Sequence, residues 1–359
     1  MKEKLTFLGI ETSCDETAAA VVKENNDGTG EILSNIVSSQ IEEHREFGGI
    51  VPEVAARAHV EKIEFIVQKA IKESKLNLEN LDGIAATAGP GLIVCLTVGL
   101  NTGKAIAGSL KKPFVAVNHL EGHALSPKIN NKIEFPYLLL LISGGHTQFL
   151  EVNGVNNYKR LGTTIDDALG EAFDKTAKLL GIEFPGGPKI EEFAKKGDKN
   201  YFKLPKPILK KGGCNLSFAG LKTAVLRTSQ VLKNKKEKYH LAASFQKTIN
   251  EILYEKTKVA MEEFSKNKKN NQKTFVIASK SIPIWKDKIH VGLLKFPSDK
   301  FTADAEPIRK ETVKACVQTR FCPEINVEGN EFSLVSNFAG AQAICRMFDS
   351  EVIDENTLL

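Results

Sequence analysis

The sequence predicts an α/β protein built as a duplication, and two hairpins with one plan predict it. In the first, the apolar run Phe7-Leu8-Gly9-Ile10 ends in Glu11-Thr12-Ser13-Cys14-Asp15-Glu16-Thr17, and a second apolar strand follows over Ala18 to Val22. In the second, Leu138 to Ile142 passes through the turn Ser143-Gly144-Gly145 into a strand over Gln148 to Val152. Small residues let the backbone amides of such a turn approach an anion. The third observation is that each hairpin continues into segments of helical spacing and a further strand.

Taken along the chain, Ile63, Ile66, Val67, Ala70 and Ile71 recur at the spacing of an amphipathic helix after Pro52. Gly83 to Thr87 reads as a strand, and Gly89-Pro90-Gly91 as the turn into a helix over Leu92 to Leu110. Phe114 to Val117 is a strand with a helix starting near Asn118. Asp166 to Leu180 reads as a helix closed by Gly181. Pro185-Gly186-Gly187-Pro188 reads as a rigid turn, either a plain connector or one whose glycine amides face a ligand. This plan resembles the duplicated actin, Hsp70 and sugar-kinase architecture, which is ribonuclease H-like and holds nucleotide in the cleft between its halves. The expected division is a first subdomain over residues 1–133, a second over 134–278, and a segment 279–359 that would normally complete the second.

Composition is that of an ordinary globular chain: 359 residues, 42% apolar and 26% charged. The apolar run near the start breaks at Glu11, too early for a signal peptide or a membrane span, so the expectation is a cytoplasmic protein without a membrane. Six cysteines are scattered without a CxxC pair, which argues against a disulfide framework or a zinc ribbon. The net charge of +5 is mild, and the lysine clusters at 233–238, 266–273 and 203–211 read as solvated surface unless other evidence supports nucleic acid.

Chemistry concentrates in Asn118-His119-Leu120-Glu121-Gly122-His123. On a helix starting near Asn118, His119 and His123 stand at i and i+4, on one face, and can share one ion. Glu121 then points the other way, unlike the zinc-protease arrangement in which a glutamate directly follows the first histidine. Asp15 and Glu16, in the first hairpin turn, are either acid–base groups or turn caps.

Seven motifs occur in one order: Leu8 to Thr17, Gly48 to Glu53, Ala88 to Leu92, His119 to His123, Ser143 to Gln148, Asp166 to Lys175 and Ser217 to Thr223. Their order and spacing resemble the bacterial tRNA N6-adenosine threonylcarbamoyltransferases, once catalogued as O-sialoglycoprotein endopeptidases, over roughly residues 5 to 278. The resemblance implies transfer of a threonylcarbamoyl group from threonylcarbamoyl-adenylate to N6 of the adenosine beside the anticodon, in tRNAs that read codons beginning with A. It further implies that Leu141, Ile142, Ser143, Gly144 and Gly145 cradle the adenylate or its carbamoyl end. Asp174 would meet the ribose hydroxyls, and Gly187 and Glu191 would complete the nucleoside wall. His119 and His123 would hold one divalent metal; imidazole suits iron or zinc alike, and the resemblance puts iron(II) ahead. Implied partners are tRNA, a homologous partner subunit, a P-loop ATPase and a synthase that makes the adenylate.

The resemblance stops after Ala278. Relatives continue with a Gly-Gly turn and an asparagine, where this chain reads Ser279-Lys280-Ser281-Ile282-Pro283-Ile284. Their third metal ligand, an aspartate, aligns with Thr312-Val313-Lys314 or Val335-Ser336-Asn337, neither of which has a carboxylate. The segment reads as a diverged paralogue's, as the product of a corrupted reading frame, or as an active variant with a rerouted ligand such as Asp304 or Glu311. With such a tail little or no transfer is expected, and a catalytically impaired scaffold subunit of the same modification complex is the alternative reading. A metallopeptidase is disfavoured by the placing of Glu121.

Overall fold

The computed structural model describes residues 4–129, 131–266, 272–280, 288–297 and 334–336. The chain divides into two compact units with a boundary between Ile133 and Glu134.

In the first unit, β1 (Thr6–Glu11) is buried at every residue, as a strand covered on both faces must be. It pairs antiparallel with β2 (Glu16–Glu24) and parallel with β4 (Gly83–Gly89). With β3 (Gly30–Ser39) and β5 (Phe114–Asn118) at the edges, the order is β3-β2-β1-β4-β5. After the single turn α1 (Ile41–His44), α2 (Pro52–Ser74) opens with proline at its first position, where the missing N–H costs nothing. Its buried face is Ile63, Ile66, Val67 and Ala70, as the helical spacing predicts. α3 (Ile93–Leu110) buries Cys95, Gly99, Gly103 and Ala107. Small residues are required there: a Cβ at Gly99 would lie 2.4 Å from Thr12 Oγ1, and one at Gly103 2.9 Å from the ring of Phe114. By length and composition alone α3 could cross a membrane, yet this face is packed into the unit's own core. α4 (His119–Leu125) follows β5 without a linker.

The second unit repeats the plan. β6 (Tyr137–Ile142), again buried throughout, pairs antiparallel with β7 (Thr147–Gly154) and parallel with β9 (Gln272–Lys280). β8 (Asn157–Thr163) lies antiparallel on β7. The run β9-β6-β7-β8 thus matches β4-β1-β2-β3 in pairing and direction. The match ends at the next strand. In the first unit β4 passes through α3 into the parallel β5, whereas β9 is flanked by the antiparallel β10 (Lys288–Pro297). The sequence motifs stop at the same place.

Among the described residues, four helices cover this unit: α5 (Leu169–Leu179), α6 (Gly186–Ala194), α7 (Ala219–Ser229) and α8 (Lys235–Ser265). Leu138, Leu140, Phe149, Phe173, Phe218 and Phe245 are fully or nearly buried in their shared core. Two sequence expectations need correction here. The helix expected from Asp166 starts at Leu169, because Asp166 is used elsewhere: its Oδ1 accepts from the amides of Phe218 (2.7 Å) and Ala219 (3.2 Å), and its Oδ2 from Ser217 Oγ. It thereby caps α7 from 53 residues away in sequence. The adjacent Asp167 binds Lys175 Nζ (2.7 Å) and Lys222 Nζ (2.8 Å). The turn expected at Pro185 to Pro188 is instead the first turn of α6.

Candidate functional site

In the first unit the entry to α4 carries the histidines. Asn118 Oδ1 accepts from the amides of Leu120 (2.9 Å) and Glu121 (3.3 Å), satisfying donors that a helix start leaves open. One turn then separates His119 from His123, and their Nε2 atoms converge to 3.2 Å, with the rings nearly perpendicular at 82°. Two imidazole nitrogens on one ion, each at about 2.1 Å, lie roughly 3 Å apart. The pair therefore fits two ligands of a divalent ion. Among the described residues no cluster of three His, Cys, Asp or Glu side chains converges on one point. Asp304, Glu311 and the stretch Thr312-Val313-Lys314 lie outside the described residues, and so do the side chains of Val335-Ser336-Asn337. Glu121 is 7% exposed.

Behind His119 stands a residue the sequence reading did not select. Glu11, the last residue of β1, is 5% exposed, and its Oε2 lies 3.3 Å from His119 Nδ1. It also accepts from the amide of Ser13 and the hydroxyl of Thr87. Burial pushes its carboxyl up, but His119 by charge and hydrogen bond, and then the bonds from Ser13 and Thr87, outweigh burial and bring the pKa down to about 2. Ser13 Oγ is also 3.3 Å from His119 Nδ1. The signal available in the sequence was a carboxylate closing an otherwise apolar strand, which is costly to bury unless it is partnered.

Of the two acids the sequence did select, Glu16 is buried as the first residue of β2, opposite Ser39, and Asp15 is half-buried in the turn, its carbonyl accepting from Gln40 N at 3.0 Å. Asp15's charge adds to burial in pushing the thiol of Cys95 up to about 11. Beneath the turn sits fully buried His59 of α2. Its Nε2 donates to the carbonyl of Cys14 (3.1 Å), so its Nδ1 is the acceptor for Thr17 Oγ1 (2.8 Å) and Gln40 Nε2 (3.1 Å). Burial holds its pKa below the usual histidine value.

In the second unit the nucleotide candidates form one connected set. Leu141 and Ile142 end β6 in the core. The turn after them closes through Ser143 N to His146 O (2.7 Å) and His146 N to Ser143 Oγ (2.9 Å). Gly144 O accepts from Glu171 N at 3.2 Å, which ties the turn to the start of α5. A Cβ built at Gly144 or Gly145 would meet nothing within 4 Å. From α5, Asp174 Oδ1 accepts from Gly186 N (3.2 Å) at the start of α6, where Gly187 is buried. One turn on, Glu191 is 7% exposed; burial raises its carboxyl pKa even though Lys195 Nζ lies 3.3 Å away. Asp15, Glu16, His119 and His123 belong to the first unit, and these residues to the second.

Comparison with known proteins places this geometry in context. Residues 31–305 match the family model described as tRNA N6-adenosine threonylcarbamoyltransferase. The enzyme so named from Pelagibacter ubique (strain HTCC1062) is 68% identical over 278 residues, covering 77% of this chain and 78% of that protein. The protein of the same name from Brucella suis is 54% identical over 262 residues, covering 72% and 73%. Among solved structures, the activator of the 2-hydroxyisocaproyl-CoA dehydratase from Clostridium difficile, with bound ADPNP, aligns with 97% of this chain and 95% of its own at a TM-score of 0.45 and 12% identity.

Proposed function

This chain belongs to the tRNA N6-adenosine threonylcarbamoyltransferase family, and from that premise we propose that it transfers the threonylcarbamoyl group from threonylcarbamoyl-adenylate to N6 of the adenosine beside the anticodon, in tRNAs reading codons that begin with A. The observation that carries the reading is the convergence of the His119 and His123 Nε2 atoms at 3.2 Å. The family match runs to residue 305, past the point where the motifs stop, and the impaired scaffold is not favoured.

The acceptor amine is a weak nucleophile, so rate must come from orientation and from stabilising charge on the carbonyl and the departing AMP. A divalent ion on His119 and His123 would supply a Lewis acid and a template. Iron(II) and zinc both suit that donor pair, with iron(II) the first choice by family. A Cβ at Gly144 or Gly145 would meet no protein atom within 4 Å, which supports room for an adenylate to approach the amides of this turn. Asp174, whose Oδ1 accepts from Gly186 N at the start of α6, would orient a ribose. Gly187 and Glu191 would close the nucleoside side. Asp15 and Glu16 are the acids we assign to steering the amine or relaying its proton.

For partners we propose tRNA, a homologous subunit, a P-loop ATPase and the synthase that makes the adenylate, acting in the cytoplasm and not at a membrane. Supporting a protein partner, Val60 and Phe65 on α2 and Ile93 and Val94 on α3 are exposed apolar side chains on two helices that pack together. The test is modification of an unmodified tRNA by the full chain supplied with threonine, bicarbonate, ATP and the partner proteins. Modified adenosine in the nucleoside digest is the expected result. Its absence, with metal and adenylate binding intact, would mean that the chain after residue 278 does not complete the site.

A further inference from the structure

We propose that Glu11 is the positioning residue for His119, accepting the Nδ1 proton so that the Nε2 lone pair is presented beside Nε2 of His123. The inference rests on the metal reading above and deepens it.

Three observations in the first unit carry it. Glu11 Oε2 and His119 Nδ1 are 3.3 Å apart although 108 residues separate them in sequence, so the contact is made by the fold: the end of a central strand against the first residue of α4. The carboxylate can only accept from this nitrogen, which assigns the proton to Nδ1 and leaves Nε2 as the donor atom to an ion. Finally, Glu11 is itself fixed. Ser13 N donates to Oε1 and Thr87 Oγ1, on the neighbouring β4, donates to Oε2, so the carboxylate cannot swing away from the ring. A histidine ligand backed by a carboxylate on its other nitrogen is held in one tautomer and one ring orientation, and becomes a more basic ligand. Without the carboxylate, two imidazole Nε2 atoms at 3.2 Å are as well served by donating one proton between them.

The experiment uses the full chain and zinc alone as probe, with affinity read by competition against a chromophoric chelator. Two-bond ¹⁵N–¹H spectra of the histidine rings report which nitrogen carries the proton. Glu11→Gln, which keeps the shape and removes the charge, is expected to weaken zinc binding about ten- to a hundredfold and to shift His119 away from the Nδ1–H form. Thr87→Val removes one bond to Glu11 but keeps the Glu11–His119 contact, and is expected to retain the tautomer. If His119→Ala weakens zinc binding while Glu11→Gln, folded by circular dichroism, binds within twofold of the parent, the role of Glu11 is overturned and the metal pair stands. If His119→Ala and His123→Ala leave zinc binding unchanged, the metal reading falls and this role with it. Should Glu11→Gln fail to fold, the parent chain's spectrum decides: Nε2–H on metal-free His119 overturns the proposal, and Nδ1–H upholds it.

Discussion

His59 shows how much one buried side chain can settle. Its ring joins α2 to the turn bearing Asp15 through Cys14 O, and to β2 through Thr17. Glu11 and Asp15 favour its charged form and Lys62 opposes it, but burial is the largest influence and lowers its pKa from 6.5. The unfolded chain therefore binds the proton more readily, and the stability due to neutral His59 is complete above about pH 6.5 and lost as pH falls below it. We expect the melting-temperature gap between the parent and His59→Gln to narrow between roughly pH 7 and pH 5. A gap independent of pH would mean that His59 titrates normally. Gly145 makes a second residue-scale case. Since a Cβ there meets no protein atom, Gly145→Val should fold with an unchanged melting temperature. It should still lose at least about tenfold in affinity for an adenylate analogue, because the side chain covers amides a ligand must reach. Calorimetry with unchanged affinity would remove this turn from the site.

At the scale of elements, the entry to α3 and the cap of α7 are the vulnerable points. A Cβ at Gly91 would fall 2.6 Å from the carbonyl of Ser13, and backbone cannot yield as a flexible side chain does. Gly91→Ala should cost about 1–3 kcal/mol in denaturant unfolding; no loss would show that the turn after β1 can shift. Asp166→Ala removes two amide bonds and a hydroxyl bond at the start of α7, for an expected loss of about 1–3 kcal/mol. The same elements mark what the sequence made legible. β1, β2, β4 and β6 were readable because central strands carry apolar runs, β7 because it follows the Ser143-Gly144-Gly145 turn in a second hairpin of the same plan, and α2 because its buried side chains follow helical spacing. The edge strands β3 and β8 are not legible, since their mixed, half-exposed residues give no clean alternation. Asp166 and Asp167 looked like the acidic first turn of a local helix, but Asp166 is held by Phe218, 52 residues further on, and Asp167 pairs with both Lys175 of α5 and Lys222 of α7. Glu11 is illegible for the same reason: its meaning lies in His119, a contact no local window contains.

The whole molecule is a plan used twice, then abandoned at β10. Val60 and Phe65 of α2 and Ile93 and Val94 of α3 belong to the first use of that plan and are exposed. If the proposed homologous subunit docks on these helices, Phe65→Glu combined with Ile93→Glu should leave the melting temperature of the isolated chain nearly unchanged and sharply reduce co-purification with it; equal recovery of that subunit would place the docking surface elsewhere. The repeated sheet has a further consequence, in the rate at which its amides meet solvent. β1 and β6 are each paired on both sides and buried at every residue, while β3 and β8 each end their sheet. Exposure of an amide requires opening the structure around it, and the last parts to open set the slowest rates. Deuterium uptake should therefore draw the same profile twice along the chain, with minima over Thr6–Glu11 and Tyr137–Ile142 and faster exchange toward Gly30–Ser39 and Asn157–Thr163.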